Sequence, residues 1–205
     1  MTLVKVCGMM RPEDVEMASG ADFIGLVVGT GTRRSLSVEQ ARDLRSICSA
    51  KVVMVTTSSS LHEVEALASV VEPNAVQTYR LPGTELVGLR EQGMEAWGAV
   101  PVGTDGDTAL AVELAINADA VVLETPTPQG GGCGRTHDWD RSRALRDGLS
   151  CRSVLAGGLT PENVATAIRT VRPDVVDVSS GVEENGRKSE RKIASFIAES
   201  RRCVE

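Results

Sequence analysis

Aromatic side chains are nearly missing from this chain of 205 residues, which carries two Trp, two Phe and one Tyr, 2% of the whole. So small a supply removes the stacking platforms on which single-strand nucleic-acid binders rely. A basic excess is lacking as well. The formal charge is −6 and the isoelectric point is near 5.1, the opposite of the basic face that a nucleic-acid scaffold presents. No apolar run approaches the roughly 20 residues that span a bilayer. The N-terminus reads as a strand, without the basic lead and cleavage site of a secretory signal. Histidine is limited to His62 and His137, and the five cysteines (Cys7, Cys48, Cys133, Cys151, Cys203) include no Cys-x-x-Cys pair. That odd, scattered set argues against a zinc site and fits reduced thiols in a cytoplasmic enzyme. Nucleic acid, membrane and metal are therefore not expected as partners.

What the chain does have is 41% apolar residues at a mean hydropathy of −0.05, enough to bury a substantial core. Its length suits one large domain or two small ones. Runs rich in Val, Ile and Leu near 3–7, 23–28, 51–56, 74–77, 96–100, 120–124, 152–156 and 175–178 read as strands. Amphipathic patterns near 12–19, 37–47, 61–71, 84–92, 107–117, 139–147, 161–171 and 187–202 read as helices between and after them. Ser37 with Gln40 looks like a capping box, and Thr160-Pro161-Glu162 reads as an N-cap with proline at the first helical position. Eight strands each followed by a helix indicate a parallel sheet with right-handed crossovers. The expected fold is a single-domain α/β chain, a (β/α)8 TIM barrel over residues 1–205, near the small end for that fold. An open doubly wound sheet is the competing arrangement. Gly130-Gly131-Gly132 falls between a strand and a helix, where a barrel carries a functional loop rather than a linker.

In a barrel the catalytic face is built from whatever follows each strand. Strand one delivers Cys7 into the Gly8 turn, which makes this thiol the first candidate for chemistry; the plainer reading is a small buried strand cap. After strand two, Arg33 and Arg34 are able to grip a carboxylate or phosphate, or simply to face solvent. Strand four ends at Gln77-Thr78-Tyr79, and strand six at Glu124, a carboxyl at the mouth or an ordinary exposed glutamate. Strands seven and eight run into Gly157-Gly158 and Ser179-Ser180-Gly181. Glycine admits close backbone approach, and barrels often hold a phosphate between these two loops.

Taken in order, Lys5-Val6-Cys7-Gly8, Arg11-Pro12-Glu13-Asp14, Arg33-Arg34, Ala75-Val76-Gln77, Gly131-Gly132-Cys133-Gly134-Arg135, Leu155-Ala156-Gly157-Gly158 and Asp177-Val178-Ser179-Ser180-Gly181-Val182-Glu183 resemble phosphoribosylanthranilate isomerases of tryptophan biosynthesis, over nearly the whole chain. The resemblance implies a cofactor-free Amadori rearrangement of N-(5-phosphoribosyl)anthranilate to the 1-deoxyribulose phosphate. It implies Cys7 as general base, and Arg34 as the group that holds the anthranilate carboxylate and supplies positive charge to the thiol. It further implies Asp177 as a substrate-orienting carboxylate, and Gly157, Gly158, Ser180 and Gly181 as the phosphate loops. Two positions depart from the family pattern. Glu124 stands where the family's general acid is aspartate, and Tyr79, which could contact the anthranilate ring, stands where histidine is usual. These departures leave room for a barrel isomerase of a related phosphorylated aminosugar, or for a non-catalytic relative that only binds a phosphorylated ligand. A monomer or a homodimer is expected.

Overall fold

The computed structural model describes residues 1–126 and 134–202, so the Gly130-Gly131-Gly132 loop, Cys133 and Cys203 lie outside the described residues. The apolar runs form eight parallel strands: β1 (Leu3–Cys7), β2 (Phe23–Val27), β3 (Lys51–Thr56), β4 (Ala75–Thr78), β5 (Glu95–Pro101), β6 (Ala120–Glu124), β7 (Arg152–Leu155) and β8 (Val175–Val178). Each pairs with the next, and β8 returns to β1, so the sheet closes. Closure removes both sheet edges and decides against the open doubly wound alternative.

Helices follow every strand: α1 (Pro12–Met17), α2 (Val38–Ile47), α3 (Leu61–Val71), α4 (Gly83–Glu91), α5 (Asp107–Asn117), α6 (Trp139–Asp147), α7 (Val164–Val171) and α8 (Glu190–Arg202). The expected capping box is present on α2, where Ser37 Oγ accepts from the Gln40 N–H and the Gln40 side chain accepts from the Ser37 N–H. Leu26, Met54, Leu86, Leu114 and Phe196 belong to the core between strands and helices.

Two helix starts differ from expectation. Thr160-Pro161-Glu162 is a turn ahead of α7, because the Asn163 side chain ties the Thr160 N–H (2.8 Å) to the Gly158 carbonyl (3.0 Å) and holds the chain out of helix until Val164. Residues 187–188, expected in the last helix, form a strand instead. β9 (Glu183–Glu184) and β10 (Arg187–Lys188) make a small antiparallel ribbon around Asn185-Gly186, both of positive φ. Asn-Gly is the preferred pair for a tight hairpin turn of this kind.

Period-two alternation fixes the barrel interior. Phe23, Val53, Trp97, Val122 and Val154 form part of its apolar packing, with the Phe23 and Trp97 rings edge-on at 5.1 Å between centroids. Lys5, two residues before Cys7 on β1, has its ammonium 6.0 Å from the Trp97 ring centroid and is wholly buried.

Candidate active site

Strand tips and the loops after them enclose one cavity, lined by nine of the residues that the sequence singled out, though not by Arg33. Cys7, Glu124 and Asp177 come from β1, β6 and β8; Arg34 and Tyr79 follow β2 and β4; Gly157, Gly158, Ser180 and Gly181 follow β7 and β8. Cys7 and Glu124 are buried, 8% and 7% exposed, so Glu124 is not the ordinary exposed glutamate that its plainer reading allowed.

Beneath them runs a hydrogen-bonded row that sequence reasoning did not assign. Lys5 Nζ donates to Asp177 Oδ2 at 2.6 Å and to Gln77 Oε1 at 2.8 Å. Gln77 Nε2 donates to Tyr79 Oη at 3.2 Å, and Tyr79 Oη donates to Glu124 Oε2 at 2.7 Å. One row of contacts thus joins Asp177 to Glu124 across the barrel. The signal for Lys5 was legible: a lysine inside an apolar strand, on the same face as the candidate nucleophile.

Burial lowers the Lys5 pKa, but Asp177, with Cys7 and Glu124, together outweigh it and the net shift is upward. Lys5 stays an ammonium. The Cys7 thiol is pushed up by burial and by Asp177 and Glu124, while Lys5 and Lys188 pull it down. These two lysines are the main cations acting on the thiol. Arg34, expected to supply that charge, instead gives Nε and Nη2 to Glu183 at 2.8 and 3.2 Å. Arg33 pairs with the same carboxylate, and Lys188 Nζ reaches it at 3.4 Å. Burial opposes ionisation of Glu183, yet its three cations bring its pKa down to about 2. The carboxylate that the paired arginines grip is therefore internal. Glu183 and Lys188 were missed by sequence reasoning, although the Asn185-Gly186 turn that presents them was a readable hairpin signal.

Glycine decides how the last loops pack. A Cβ on Gly158, whose φ is +64°, would lie 2.3 Å from the Arg135 carbonyl carbon, and one on Gly181 would lie 1.8 Å from the Leu159 carbonyl oxygen. Backbone packs directly on backbone here, which only glycine allows. The N–H groups of Gly157 and Gly158 donate to no acceptor among the described residues. The arrangement offers a set of backbone donors, a thiol near two ammoniums, and a carboxyl facing the same space.

A family model for N-(5'-phosphoribosyl)anthranilate (PRA) isomerase matches residues 4–199. The chain belongs to that family. An N-(5'-phosphoribosyl)anthranilate isomerase from Methanothrix thermoacetophila is 39% identical over 99% of this chain and 100% of its own length. One from Haloferax volcanii is 40% identical over 97% and 92%. Among solved structures, the phosphoribosyl anthranilate isomerase from Thermotoga maritima superposes with a TM-score of 0.88 at 35% identity, covering 98% of this chain and 99% of that one. A further isomerase of the family, in complex with reduced 1-(o-carboxyphenylamino)-1-deoxyribulose 5-phosphate, gives a TM-score of 0.85 at 32% identity over 98% and 99%.

Proposed function

We propose that Cys7 and Glu124 are the base and the acid with which this isomerase converts N-(5'-phosphoribosyl)anthranilate to 1-(o-carboxyphenylamino)-1-deoxyribulose 5-phosphate. The reaction is the aldose-to-ketose (Amadori) step of tryptophan biosynthesis. The observation that carries the assignment is the meeting of a buried thiol and a buried carboxyl in one cavity, beside the Gly157 and Gly158 N–H groups, which have no acceptor among the described residues.

In this reading the phosphate sits on the N–H groups of Gly157, Gly158, Ser180 and Gly181, donors of the kind that suit an anion. Arg34, whose Nη1 has no partner among the described residues, takes the anthranilate carboxylate. Tyr79 is near the anthranilate ring. Asp177 Oδ1, buried and without a hydrogen-bond partner among the described residues, accepts from a substrate hydroxyl or amine. Glu124 gives its proton to the furanose ring oxygen as the C1–O bond breaks, and the nitrogen lone pair forms the iminium. The Cys7 thiolate then takes the C2 proton; the released electron pair forms the enolamine and neutralises the iminium. Return of the Cys7 proton to C1, with loss of the C2 hydroxyl proton to the Glu124 carboxylate, completes the ketone and restores both groups. The iminium acidifies C2, so the chemistry requires positioning and two proton carriers, effects that lower barriers by several kcal/mol.

Purified protein should consume the aminoaldose, with turnover abolished in Cys7→Ala and reduced by at least about a hundredfold in Glu124→Gln. Full turnover in either variant defeats that residue's assignment. Absence of turnover by folded wild-type chain defeats the whole reading. A cytoplasmic location fits the free thiols Cys7, Cys48 and Cys151 and the lack, among the described residues, of any helix long and apolar enough to cross a membrane. An assembly of one or two copies is the accompanying expectation; the Thermotoga maritima protein is a dimer from which monomers have been generated, and sedimentation of this chain decides between the two.

A further inference from the structure

The two residues that the sequence reading set apart from the resemblance touch one another: Tyr79 Oη lies 2.7 Å from Glu124 Oε2. We propose that Tyr79 is a positioning residue for the proton of Glu124, and that Lys5 and Gln77 set the direction in which its hydroxyl points. The inference rests on the reading of Glu124 as the acid and adds how its longer arm is held.

The direction follows from donor chemistry. An ammonium only donates, so Lys5 Nζ at 2.8 Å selects the Gln77 flip that presents Oε1 to it. The amide NH2 is then left to face Tyr79 and donates to Oη at 3.2 Å. With a lone pair of the phenol already used, its proton is directed to Glu124 Oε2. Tyr79 keeps that proton, since burial first and the Glu124 charge second raise its pKa well above the usual value for a phenol. With Oε2 occupied as an acceptor, the transferable proton belongs on Oε1. Two consequences follow. The extra methylene of glutamate is tethered, which restores the placement that a longer arm would lose. The hydroxyl also stabilises the carboxylate that appears as the proton leaves, because a hydrogen bond to the charged form favours it.

Tyr79→Phe keeps the ring and removes the hydroxyl. Its expected effects are a fall in kcat of about tenfold with little change in KM, and a rise of about one pH unit in the limb where activity is lost as the acid deprotonates. A purely structural role for Tyr79 would lower activity without moving that limb. In a Glu124→Asp background the shorter carboxyl no longer reaches Tyr79, so adding Tyr79→Phe should change kcat by less than about twofold, the non-additivity of a coupled pair. Equal fold-changes in both backgrounds, or an unmoved limb in Tyr79→Phe, overturn the proposal. The two readings fail separately: an inactive Glu124→Gln beside an unaffected Tyr79→Phe removes only the coupling, whereas a fully active Glu124→Gln removes the acid itself.

Discussion

Lys5 and Asp177, 172 positions apart, meet at 2.6 Å inside the barrel, the ammonium fully buried and the carboxylate 8% exposed. Neighbouring strands make the meeting possible, because β1 and β8 pair in a register that sets Lys5 beside Asp177. Breaking a buried pair strands a charge. Lys5→Met should lower the unfolding free energy by about 3–5 kcal/mol, measured by denaturant titration. It should also weaken Cys7 as an acid. Lys5 pulls the thiol pKa down against burial, so its loss raises that pKa, and the limb on which activity rises with pH moves to higher pH. An unmoved limb in a folded Lys5→Met sample would show that the thiolate does not depend on this ammonium.

Space for the Cys7 sulfur comes from the strand beside it. Gly25 pairs with Cys7 across β1 and β2, and a Cβ at position 25 would lie 2.6 Å from Cys7 Sγ and 2.9 Å from Cys7 Cα. Gly25→Ala therefore has to move the thiol or part the strands. Overpacking of this kind costs about 1–3 kcal/mol, and a displacement of about 1 Å at a reacting atom can lower the rate a hundredfold. Thermal unfolding and kcat together check it; wild-type kcat with an unchanged Tm would mean that β1 yields without cost.

The barrel was legible because its strands are near-continuous apolar runs and its helices carry a 3.6-residue stripe. The cavity residues were legible because each ends a strand. The roles of Lys5, Gln77, Glu183 and Lys188 were not, although the lysine within an apolar strand and the Asn185-Gly186 turn were readable signals: those roles depend on partners 72 to 172 positions away, or on a two-strand ribbon, and single-strand periodicity holds no information on such pairings. Arg34 shows the same limit. Its position at the mouth was readable, but its engagement with Glu183 was not.

Glu183 binds Arg33, Arg34 and Lys188 at once, which makes it the anchor of Arg34, the cation that the proposed function gives to the substrate carboxylate. Glu183→Gln should raise KM about tenfold, as expected for the loss of a charge-assisted fork on Arg34, with a smaller effect on kcat. It should also change acid stability. The folded-state pKa is about 2, below the roughly 4.3 of an unfolded glutamate. The stabilisation is thus complete above about pH 4.3 and lost as pH falls toward 2. Thermal midpoints across that window should fall less steeply in Glu183→Gln than in the wild type; parallel slopes would contradict the linkage.

His137 makes the protein sensitive at a milder pH. Its ring bridges Thr125 Oγ1, at 3.0 Å from Nδ1, to Ser142 Oγ, at 2.6 Å from Nε2, and so ties α6 to the residue that follows Glu124. Burial holds its pKa down to about 4, with the charge of Asp138 opposing only in part. An unfolded histidine titrates near 6.5, so between the two values the unfolded chain binds a proton that the folded chain refuses. Stability contributed by the neutral ring is complete above about pH 6.5 and declines as pH falls to about 4. His137→Gln keeps a polar side chain at the position but has no proton to gain. It should flatten the stability profile between pH 6.5 and 4 while leaving the steeper loss below pH 4 to Glu183. Because the ring ties α6 to Thr125, beside Glu124, its protonation near pH 4 should break that tie, so the wild type should lose kcat around pH 4 faster than His137→Gln does. Urea midpoints and kcat measured at half-unit intervals test both statements, and a variant that tracks the wild type through the whole range would place the acid sensitivity elsewhere.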